Sequence, residues 1–386
     1  MAARLLSVVG ARPQFIKFLP VAKALQNINR DSTLVEHILV HTGQHYDYQM
    51  SRVFFDELGI PEPSYHLGVG SGSHAVQTGN ILTKVEEVLS AHRVDCVIVY
   101  GDTNSTLGAA ISAVKLGIPV AHVEAGLRSY NLAMPEEINR NLTDRISSLL
   151  FCPSRNAVRV LRGEGFSSVV NDGQLCSALD WRTAKMGARS LPDLNTSLVV
   201  NSGDVMYEVL FESIRIAERK SQILKQLHLE GKDYYLLTIH RAENIDSPAQ
   251  LEQIVQFVNK TSHGTTVIFP VHPRARQEFE TAFSKFAPNV HRIEPVGYFD
   301  SIVLLKNSSM VLTDSGGLQK EAYWLKVPCI TLRTETEWIE TVEDGWNVLY
   351  KDYRESSPRP GTQSKPYGEG GAAETIVTVL ADVFER

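Results

Sequence analysis

The segment VDCVIVYGDTNSTLGAAISAVKLGIPVAHVEAG, residues 94–126, contains the repeating unit on which the fold is built. Its two ends, VDCVIVYGD and IPVAHVEAG, are apolar runs without polar alternation, which is typical of strands buried on both faces. The part between them, STLGAAISAVKLG, has the pattern of an amphipathic helix. A strand–helix–strand unit of this kind predicts a parallel sheet with helices on both sides.

The same alternation occupies the rest of the chain in two blocks. LLSVVG, EHILVHTG and SSLLFCPS extend the first block, and the pattern restarts with YYLLTIHRAEN, TTVIFPVHPR, NVHRIEPVG, SSMVLTDSGG and VPCITLRTETE. The sequence therefore predicts the α/β class with two Rossmann-like domains. Their expected ranges are 1–200 and 201–365, followed by a final helix in 366–386. Residues 167–198 fit neither pattern and are interpreted as an insertion or an irregular hinge.

Composition narrows the class of protein and its partners. The 386 residues are 43% hydrophobic and 21% charged, as in ordinary globular proteins, and the net charge of −6 gives no positive field for nucleic acid or an anionic membrane. No apolar run is long enough to span a bilayer, and the apolar run at the N-terminus is too short for a signal peptide. The four cysteines form no CxxC pair. These features predict a cytoplasmic protein with reduced cysteines.

Several carboxylates follow the predicted strands of the first half. Open parallel sheets bind ligands beyond the carboxyl ends of their strands, where Asp102 and Glu124 lie. Glu136 comes slightly later, in PEEINR, next to Pro135. Taken singly, Glu124 also fits a helix N-cap and Glu136 a first-turn residue. The sequence has no metal-ligand pattern that would use several carboxylates at strand ends, so their purpose has to come from another feature of the chain.

The second half contains a candidate anion site in VLTDSGGLQKEA, residues 311–322. A predicted strand runs into Ser315, Gly316 and Gly317, where a helix begins. Glycines allow backbone N–H groups to approach an anion, and a helix N-terminus favours negative charge. Glu321 lies about one turn into that helix and could accept hydrogen bonds from ribose hydroxyls. An ordinary capped helix start, with Asp314 or Ser315 as the cap, is the alternative.

Basic, histidine and amide side chains at other strand ends are further candidates for contacts with an anion. They are Arg12, Lys17, Gln44, His45, Arg128, Arg140, His240, Arg241, His272 and Arg333. Arg12 and Lys17 alone would be read as surface charges, and His240 and His272 alone as structural histidines. The His spacing in HTGQHYD could indicate a metal, but Gly43 argues against a helix that would align the rings.

Nine motifs, in order, resemble the non-hydrolysing UDP-N-acetylglucosamine 2-epimerases. They are GARPQFIK, HTGQHYD, GDTNSTL, HVEAGLRS, PEEINR, HRAEN, PVHP, TDSGGLQKEA and PYGEGGAA, which extend from Gly10 to about Ala373. The resemblance implies a GT-B-like fold, with the nucleotide sugar in a cleft between two Rossmann-like domains. It also implies that the final helix crosses back to the first domain.

The resemblance further implies a mechanism and its residues. UDP leaves C1 while a base removes the C2 proton, and UDP then adds back to the resulting glucal with protonation of the opposite face. Asp102 and Glu136 are expected to transfer protons, Glu124 to stabilise charge or orient the ring, and His240 to assist the leaving group. UDP is expected to contact Arg12, Lys17, Ser315, Gly316, Gly317, Glu321 and Arg333. Gln44 and Arg241 would lie near a regulatory substrate site. Neither a metal nor another cofactor is expected, because no net redox change occurs.

The segment TEWIET, residues 336–341, departs from the TERPE-like segment of the glucosamine enzymes. Together with ARPQFIK and MPEEINR, it resembles a branch of the family that includes epimerases of UDP-2,3-diacetamido-glucuronate and UDP-6-deoxy-talosamine types. Of these, we favour a UDP-2,3-diacetamido-glucuronate type substrate. Arg128 or Arg140 would then meet the sugar carboxylate. UDP-N-acetylglucosamine is the alternative substrate. A hydrolysing 2-epimerase, a glycosyltransferase and a silent nucleotide-sugar sensor are the alternative functions, and a homodimer is the expected assembly.

Overall fold

The structure is a computed structural model that describes residues 2–29, 34–44, 59–184, 196–271, 283–354 and 361–384. His45 and His272 lie outside these ranges, and the side chain of Arg12 is not described either. The chain forms two compact units, Met1–Val209 with Lys365–Arg386 and Leu210–Ser364. The predicted domain ranges stay predictions, because a domain is defined by independent folding, which compactness does not test.

The first unit is built on a parallel sheet of seven strands within the described residues. They are β1 (Ala3–Val9), β2 (Val35–His41), β3 (Tyr65–His66), β4 (Cys96–Tyr100), β5 (Val120–Val123), β6 (Leu149–Cys152) and β7 (Leu198–Asn201). Their order across the sheet is β3-β2-β1-β4-β5-β6-β7, and every pair is parallel. The order reverses between β1 and β4, which is the usual ligand position in such sheets.

The helices of the first half connect these strands. They are α1 (Arg12–Ile28), α2 (His74–Ala91), α3 (Asn104–Lys115), α4 (Pro135–Ile146), α5 (Arg155–Gly163), α6 (Ala178–Ala184) and α7 (Val205–Lys220). Thr103 is the N-cap of helix α3, and its hydroxyl accepts a hydrogen bond from the Thr106 N–H. Gly108 lets α2 approach closely, because a Cβ there would lie 2.7 Å from Ile81 Cγ2. Apolar side chains of β1, β4, α2 and α3 share one buried core.

The second unit repeats the architecture with six parallel strands in its described part. They are β8 (Tyr234–Thr238), β9 (Thr266–Pro270), β10 (Val290–Ile293), β11 (Met310–Thr313), β12 (Cys329–Thr331) and β13 (Asn347–Leu349). The remaining helices are α8 (Ile223–Gln226), α9 (Ala242–Ile245), α10 (Pro248–Thr261), α11 (Tyr298–Lys306), α12 (Gly316–Trp324), α13 (Ile339–Glu343) and α14 (Ala372–Phe384). The strand order, β10-β9-β8-β11-β12-β13, reverses between β8 and β11.

The prediction of two Rossmann-like sheets is confirmed, and so are all ten quoted strand segments. Three strands were not predicted: β3, β7 and β13 are two to four residues long.

The irregular segment 167–198 contains a tight turn, Val170–Gly173, in which Asn171 and Asp172 have positive φ, and helix α6. Residues 185–195 lie outside the described ranges. Trp181 in α6 donates from Nε1 to Asp382 Oδ2 of the C-terminal helix α14 over 2.9 Å. Helix α14 also contacts α1, so the chain end belongs to the first unit. No helix in the described part of the chain is long and apolar enough to cross a membrane.

Candidate active site

Asp102 lies in the turn that follows β4, where its main chain and its side chain are both held. Gly101, at φ +62°, turns the chain out of the strand. Arg140 Nη2 donates to Asp102 Oδ2 over 2.6 Å, and Asn139 Nδ2 donates to the Asp102 carbonyl over 2.9 Å. The Asp102 side chain is 24% exposed, so its carboxylate is fixed in position but reachable from solvent.

Glu137 holds the guanidinium of Arg140 in place, a role that the sequence did not predict. It is buried and accepts hydrogen bonds from the N–H and hydroxyl of Ser129 and from the Tyr130 N–H. It also accepts from Arg140 Nη1 over 2.8 Å. Arg140 therefore bridges Glu137 and Asp102. It was predicted to bind substrate, and in the structure its guanidinium holds the Asp102 carboxylate in position.

Glu136 differs from its neighbour in having no such partners. It lies in the first turn of α4 after Pro135, as the sequence predicted, where the helix dipole favours a negative charge. The residue is partly exposed, and it has no hydrogen-bond or ion-pair partner among the described residues. A carboxylate without fixed partners can gain and lose a proton without breaking a structural contact. Of the neighbouring acids Glu136 and Glu137, Glu136 is therefore the better suited to proton transfer.

Glu124 directly follows β5 and adopts φ +77°, which is uncommon for a residue other than glycine. Its N–H donates to the Phe151 carbonyl, which fixes this conformation. Lys17 Nζ donates to Glu124 Oε1 over 2.5 Å, and both side chains are buried. Glu124 is thus not an N-cap, and the structure gives it Lys17 as counter-ion. Strained backbone of this kind is concentrated at functional sites.

Two glutamines connect the loops around Asp102. Gln44 Oε1 accepts hydrogen bonds from the N–H and the hydroxyl of Ser105, in the first turn of α3. Gln14, which sequence reasoning missed, is buried and accepts from the Gly10 N–H through Oε1 while its Nε2 donates to the Tyr100 carbonyl. The loops after β1 and β4 are therefore bound to each other, which stiffens the switch point of the first sheet.

Arg128 does not lie where a sugar carboxylate could reach it. Its side chain is 1% exposed. The guanidinium donates twice to Glu164, over 2.8 and 2.9 Å, once to Asp144 over 2.7 Å and once to the Leu127 carbonyl. The prediction that Arg128 binds substrate is therefore replaced by a structural role, because its donors are used inside the first unit.

We expect Arg128→Met to lower the free energy of unfolding by about 3–5 kcal/mol, because it removes the buried guanidinium that donates to Asp144 and to Glu164. Denaturant titration measures the change. The control is Arg4→Met, which breaks an ion pair with Glu36 whose side chains are 47% and 52% exposed. That change should cost less than about 1 kcal/mol. If the variant has unchanged stability and a raised KM, Arg128 binds substrate as the sequence predicted.

In the second unit, Asp314 organises the switch point. This buried residue follows β11 and accepts hydrogen bonds from the N–H groups of His240 and Arg241 and from Asn244 Nδ2. Its Oδ1 also lies 3.2 Å from His240 Nδ1. Asp314 thereby orients the imidazole of His240, whose side chain is 37% exposed.

The start of α12 has the geometry expected of an anion site. Ser315 is the N-cap of α12, and its hydroxyl accepts from the Leu318 N–H. The sequence had left Asp314 and Ser315 as alternatives for this cap. Gly316 is tightly enclosed, since a Cβ there would lie 2.5 Å from Glu337 Oε1 and 3.2 Å from Trp338 Nε1. A side chain here would have to displace the Glu337 carboxylate, which Arg333 and Arg241 hold in place. Gly317 follows inside the first turn.

Glu337, in the TEWIET segment, joins two of the predicted basic residues. It accepts from Arg333 Nη1 over 2.9 Å and lies 3.8 Å from Arg241 Nη2. The sequence pattern drew attention to this segment but predicted no role for Glu337. Glu321, predicted as a ribose ligand, is buried and accepts from the Tyr298 hydroxyl over 3.1 Å. The second unit therefore combines a helix N-terminus with fixed arginines, which suits a phosphorylated ligand.

Comparisons of the chain with known protein sequences and structures agree with this geometry. A sequence model of the family described as UDP-N-acetylglucosamine 2-epimerase matches residues 26–381. The chain is 44% identical to a UDP-N-acetylglucosamine 2-epimerase homolog of Methanococcus maripaludis, covering 98% of this chain and 100% of the relative. It is 42% identical to the UDP-2,3-diacetamido-2,3-dideoxy-D-glucuronate 2-epimerase of Pseudomonas aeruginosa, covering 98% and 99%.

A solved structure is similar over the same length. It is the crystal structure of Methanocaldococcus jannaschii UDP-GlcNAc 2-epimerase in complex with UDP-GlcNAc and UDP. The TM-score is 0.83 at 37% identity, with 98% of this chain and 99% of that chain covered. This likeness confirms the predicted GT-B-like fold. With a family model that spans most of its length and such relatives, the chain belongs to the UDP-N-acetylglucosamine 2-epimerase family.

Proposed function

We propose that this UDP-sugar 2-epimerase inverts a UDP-2-acetamido sugar at C2 by eliminating UDP and adding it back. No carbonyl acidifies the C2 proton, so removing it alone would be too costly. In the elimination, a base takes the C2 proton while the C1–O bond breaks and UDP leaves with the electron pair. Re-addition forms the C1–O bond again and delivers a proton to the opposite face of C2. The atoms balance without any net oxidation.

The observation that carries the proposal is the position of the acids in the first unit. Asp102 and Glu124 follow the adjacent strands β4 and β5, and Glu136 begins the helix that supports Asp102 through Arg140. Inversion at C2 needs proton donors and acceptors that can serve two faces of one carbon. We assign Asp102 and Glu136 to proton transfer. Glu124, held by Lys17, stabilises positive charge as the C1–O bond breaks.

The second unit is proposed to hold the departing UDP. The N-terminus of α12, at Ser315, Gly316 and Gly317, would receive the pyrophosphate. His240, oriented by Asp314, would assist the leaving group, and Glu321 would bind the ribose. Arg241 and Arg333 add positive charge nearby. Arg12, His45 and His272 stay in the proposal only through the motif resemblance. A homodimer also stays a prediction.

We expect deuterium from the solvent at C2 of the product when the enzyme works in deuterated water, because the C2–H bond must break and form again. Proton NMR of the UDP-sugar follows the label, and a reaction without added nicotinamide or metal tests the absence of a cofactor. Turnover without label at C2 would contradict the elimination mechanism. Release of free UDP in proportion to turnover would identify a hydrolysing 2-epimerase instead.

For the substrate, we propose a UDP-2,3-diacetamido-glucuronate type sugar. Support comes from the TEWIET departure and from the Pseudomonas aeruginosa relative, whose name gives that substrate. Neither Arg128 nor Arg140 carries this choice, because both guanidinium groups are paired with carboxylates. The second candidate, UDP-N-acetylglucosamine, is favoured by the Methanocaldococcus jannaschii structure, which contains it.

We expect kcat/KM for the diacetamido-glucuronate to exceed that for UDP-N-acetylglucosamine by about ten- to a hundred-fold. This is the difference expected when one charge-assisted hydrogen bond to the sugar carboxylate is missing, about 1.5–3 kcal/mol. Steady-state kinetics with the two purified UDP-sugars measures it. If UDP-N-acetylglucosamine is used equally well or better, the proposed substrate is wrong, whereas the proposed epimerase reaction still stands.

A further inference from the structure

His122, in the middle of β5, is a fully buried residue to which the reaction scheme gives no role. Its Nδ1 lies 2.7 Å from Asp144 Oδ1, and its Nε2 lies 2.8 Å from the Gly101 carbonyl oxygen. A carboxylate and a carbonyl can only accept hydrogen bonds. Each contact is a hydrogen bond when the ring nitrogen carries hydrogen, so the geometry fits a ring that donates in two directions.

The Asp144 side of this contact is complete. Asp144 Oδ2 accepts from Arg128 Nη1 over 2.7 Å and from the Gly126 N–H over 3.1 Å. Burial alone would raise the pKa of Asp144, but the hydrogen bond and charge of His122 and the charge of Arg128 bring it below its usual value. Asp144 therefore stays ionised and accepts from His122 Nδ1, which holds the ring in one orientation.

The other side of the ring acts on the Gly101–Asp102 peptide group. Gly101 lies just beyond β4 at φ +62°, and its carbonyl belongs to the peptide whose N–H is that of Asp102. Glycine tolerates many backbone conformations, so this peptide would rotate more easily without a fixed donor. Asn139 and Arg140 hold Asp102 from its carbonyl and its carboxylate. His122 holds it from the preceding peptide.

We propose that His122 is a positioning residue for the reaction, acting through its Nε2 hydrogen bond to the Gly101 carbonyl to fix the direction of the Asp102 carboxylate. The inference rests on the proposed role of Asp102 in proton transfer. Misplacement of a reacting group by about 1 Å can cost a hundred-fold in rate. His122 is too far inside the unit to touch substrate, so its loss should affect turnover and leave substrate binding nearly unchanged.

Two variants separate the two hydrogen bonds of the ring. In His122→Gln, the side-chain amide extends to about the place of Nε2 and can still donate to the Gly101 carbonyl. In His122→Asn, the shorter amide reaches about the place of Nδ1 and keeps only the contact with Asp144. We expect His122→Asn to lower kcat by about a hundred-fold with KM within about threefold of wild type. His122→Gln should keep kcat within about ten-fold. Equal losses, or a change confined to KM or thermal stability, would overturn the proposal.

A double-mutant cycle tests whether the effect passes through Asp102. When Asp102→Asn is already present, adding His122→Asn should lower kcat by less than about threefold, because the group it positions is gone. Two fully additive losses would show that His122 acts elsewhere. If Asp102→Asn alone keeps normal turnover, the proposed function of Asp102 fails, which the cycle distinguishes from a failure of His122.

Folding of the variants is not required for the last measurement. In wild-type protein with ¹⁵N-labelled histidine, NMR of the ring nitrogens should show hydrogen on Nε2 of His122, the atom that faces the Gly101 carbonyl. The Nε2–H should also show a through-hydrogen-bond coupling to the ¹³C-labelled Gly101 carbonyl. An Nε2 without hydrogen, or a coupling to another acceptor, would refute the proposal even if both variants fail to fold.

Discussion

Asp102→Asn should reduce kcat by at least ~10²-fold, the usual scale for the loss of a general acid–base group. Asparagine keeps the shape of the side chain, and its oxygen can still accept from Arg140, so the turn after β4 should keep its conformation. What disappears is the ability to take or give a proton. The dissociation constant for UDP should stay within about twofold, because Asp102 is not assigned to the nucleotide. Steady-state kinetics and calorimetric titration with UDP measure the two quantities.

The matched control is Asp352→Asn, which makes the same chemical change at an exposed residue. It should leave kcat within about 1.5-fold, since surface substitutions are usually close to neutral. Glu136→Gln should resemble Asp102→Asn in its effect, because inversion requires a second proton-transfer group on the other face. Near-normal turnover in either active-site variant would remove that residue from the proton-transfer pair.

Gly316→Ala should weaken UDP binding by about ten- to a hundred-fold. The added Cβ would lie 2.5 Å from Glu337 Oε1, and Glu337 cannot move freely because Arg333 and Arg241 hold it. The clash must shift the first turn of α12 or the arginines, which loses about one charge-assisted hydrogen bond to the phosphates, worth about 1.5–3 kcal/mol. Calorimetric titration with UDP measures the change.

Gly361→Ala provides the control for this substitution in the same unit. A Cβ at Gly361 meets no atom within 4 Å, and its φ is not in the left-handed region, so alanine should fit without strain. The UDP affinity of this variant should equal that of wild type within about twofold. If Gly316→Ala binds UDP equally well, the pyrophosphate does not lie at the start of α12.

The alternation of elements and the location of the site could be predicted from the sequence. Strands such as β4 and β5 are buried on both faces, so their apolar runs are continuous and easy to detect. Parallel strands all end at one edge, which places the residues that follow them together. The motif order then indicated the family, which the comparisons confirmed. Strands β3 and β13 escaped prediction because polar residues, His66 and Asn347, interrupt their short apolar runs.

The pairing of charged side chains was decided only by the tertiary structure. Lys17 meets Glu124 across 107 residues of chain, and Arg128 meets Glu164 across 36, so neither pair leaves a local signal in the sequence. The sequence by itself determined which residue types follow which strands, because burial and turn chemistry are local requirements. Which cation neutralises which acid depends on the few ångströms between side chains of different elements. Only the packed sheet and helices set those distances, and they made Arg128 a buried support and left Glu136 without a partner among the described residues.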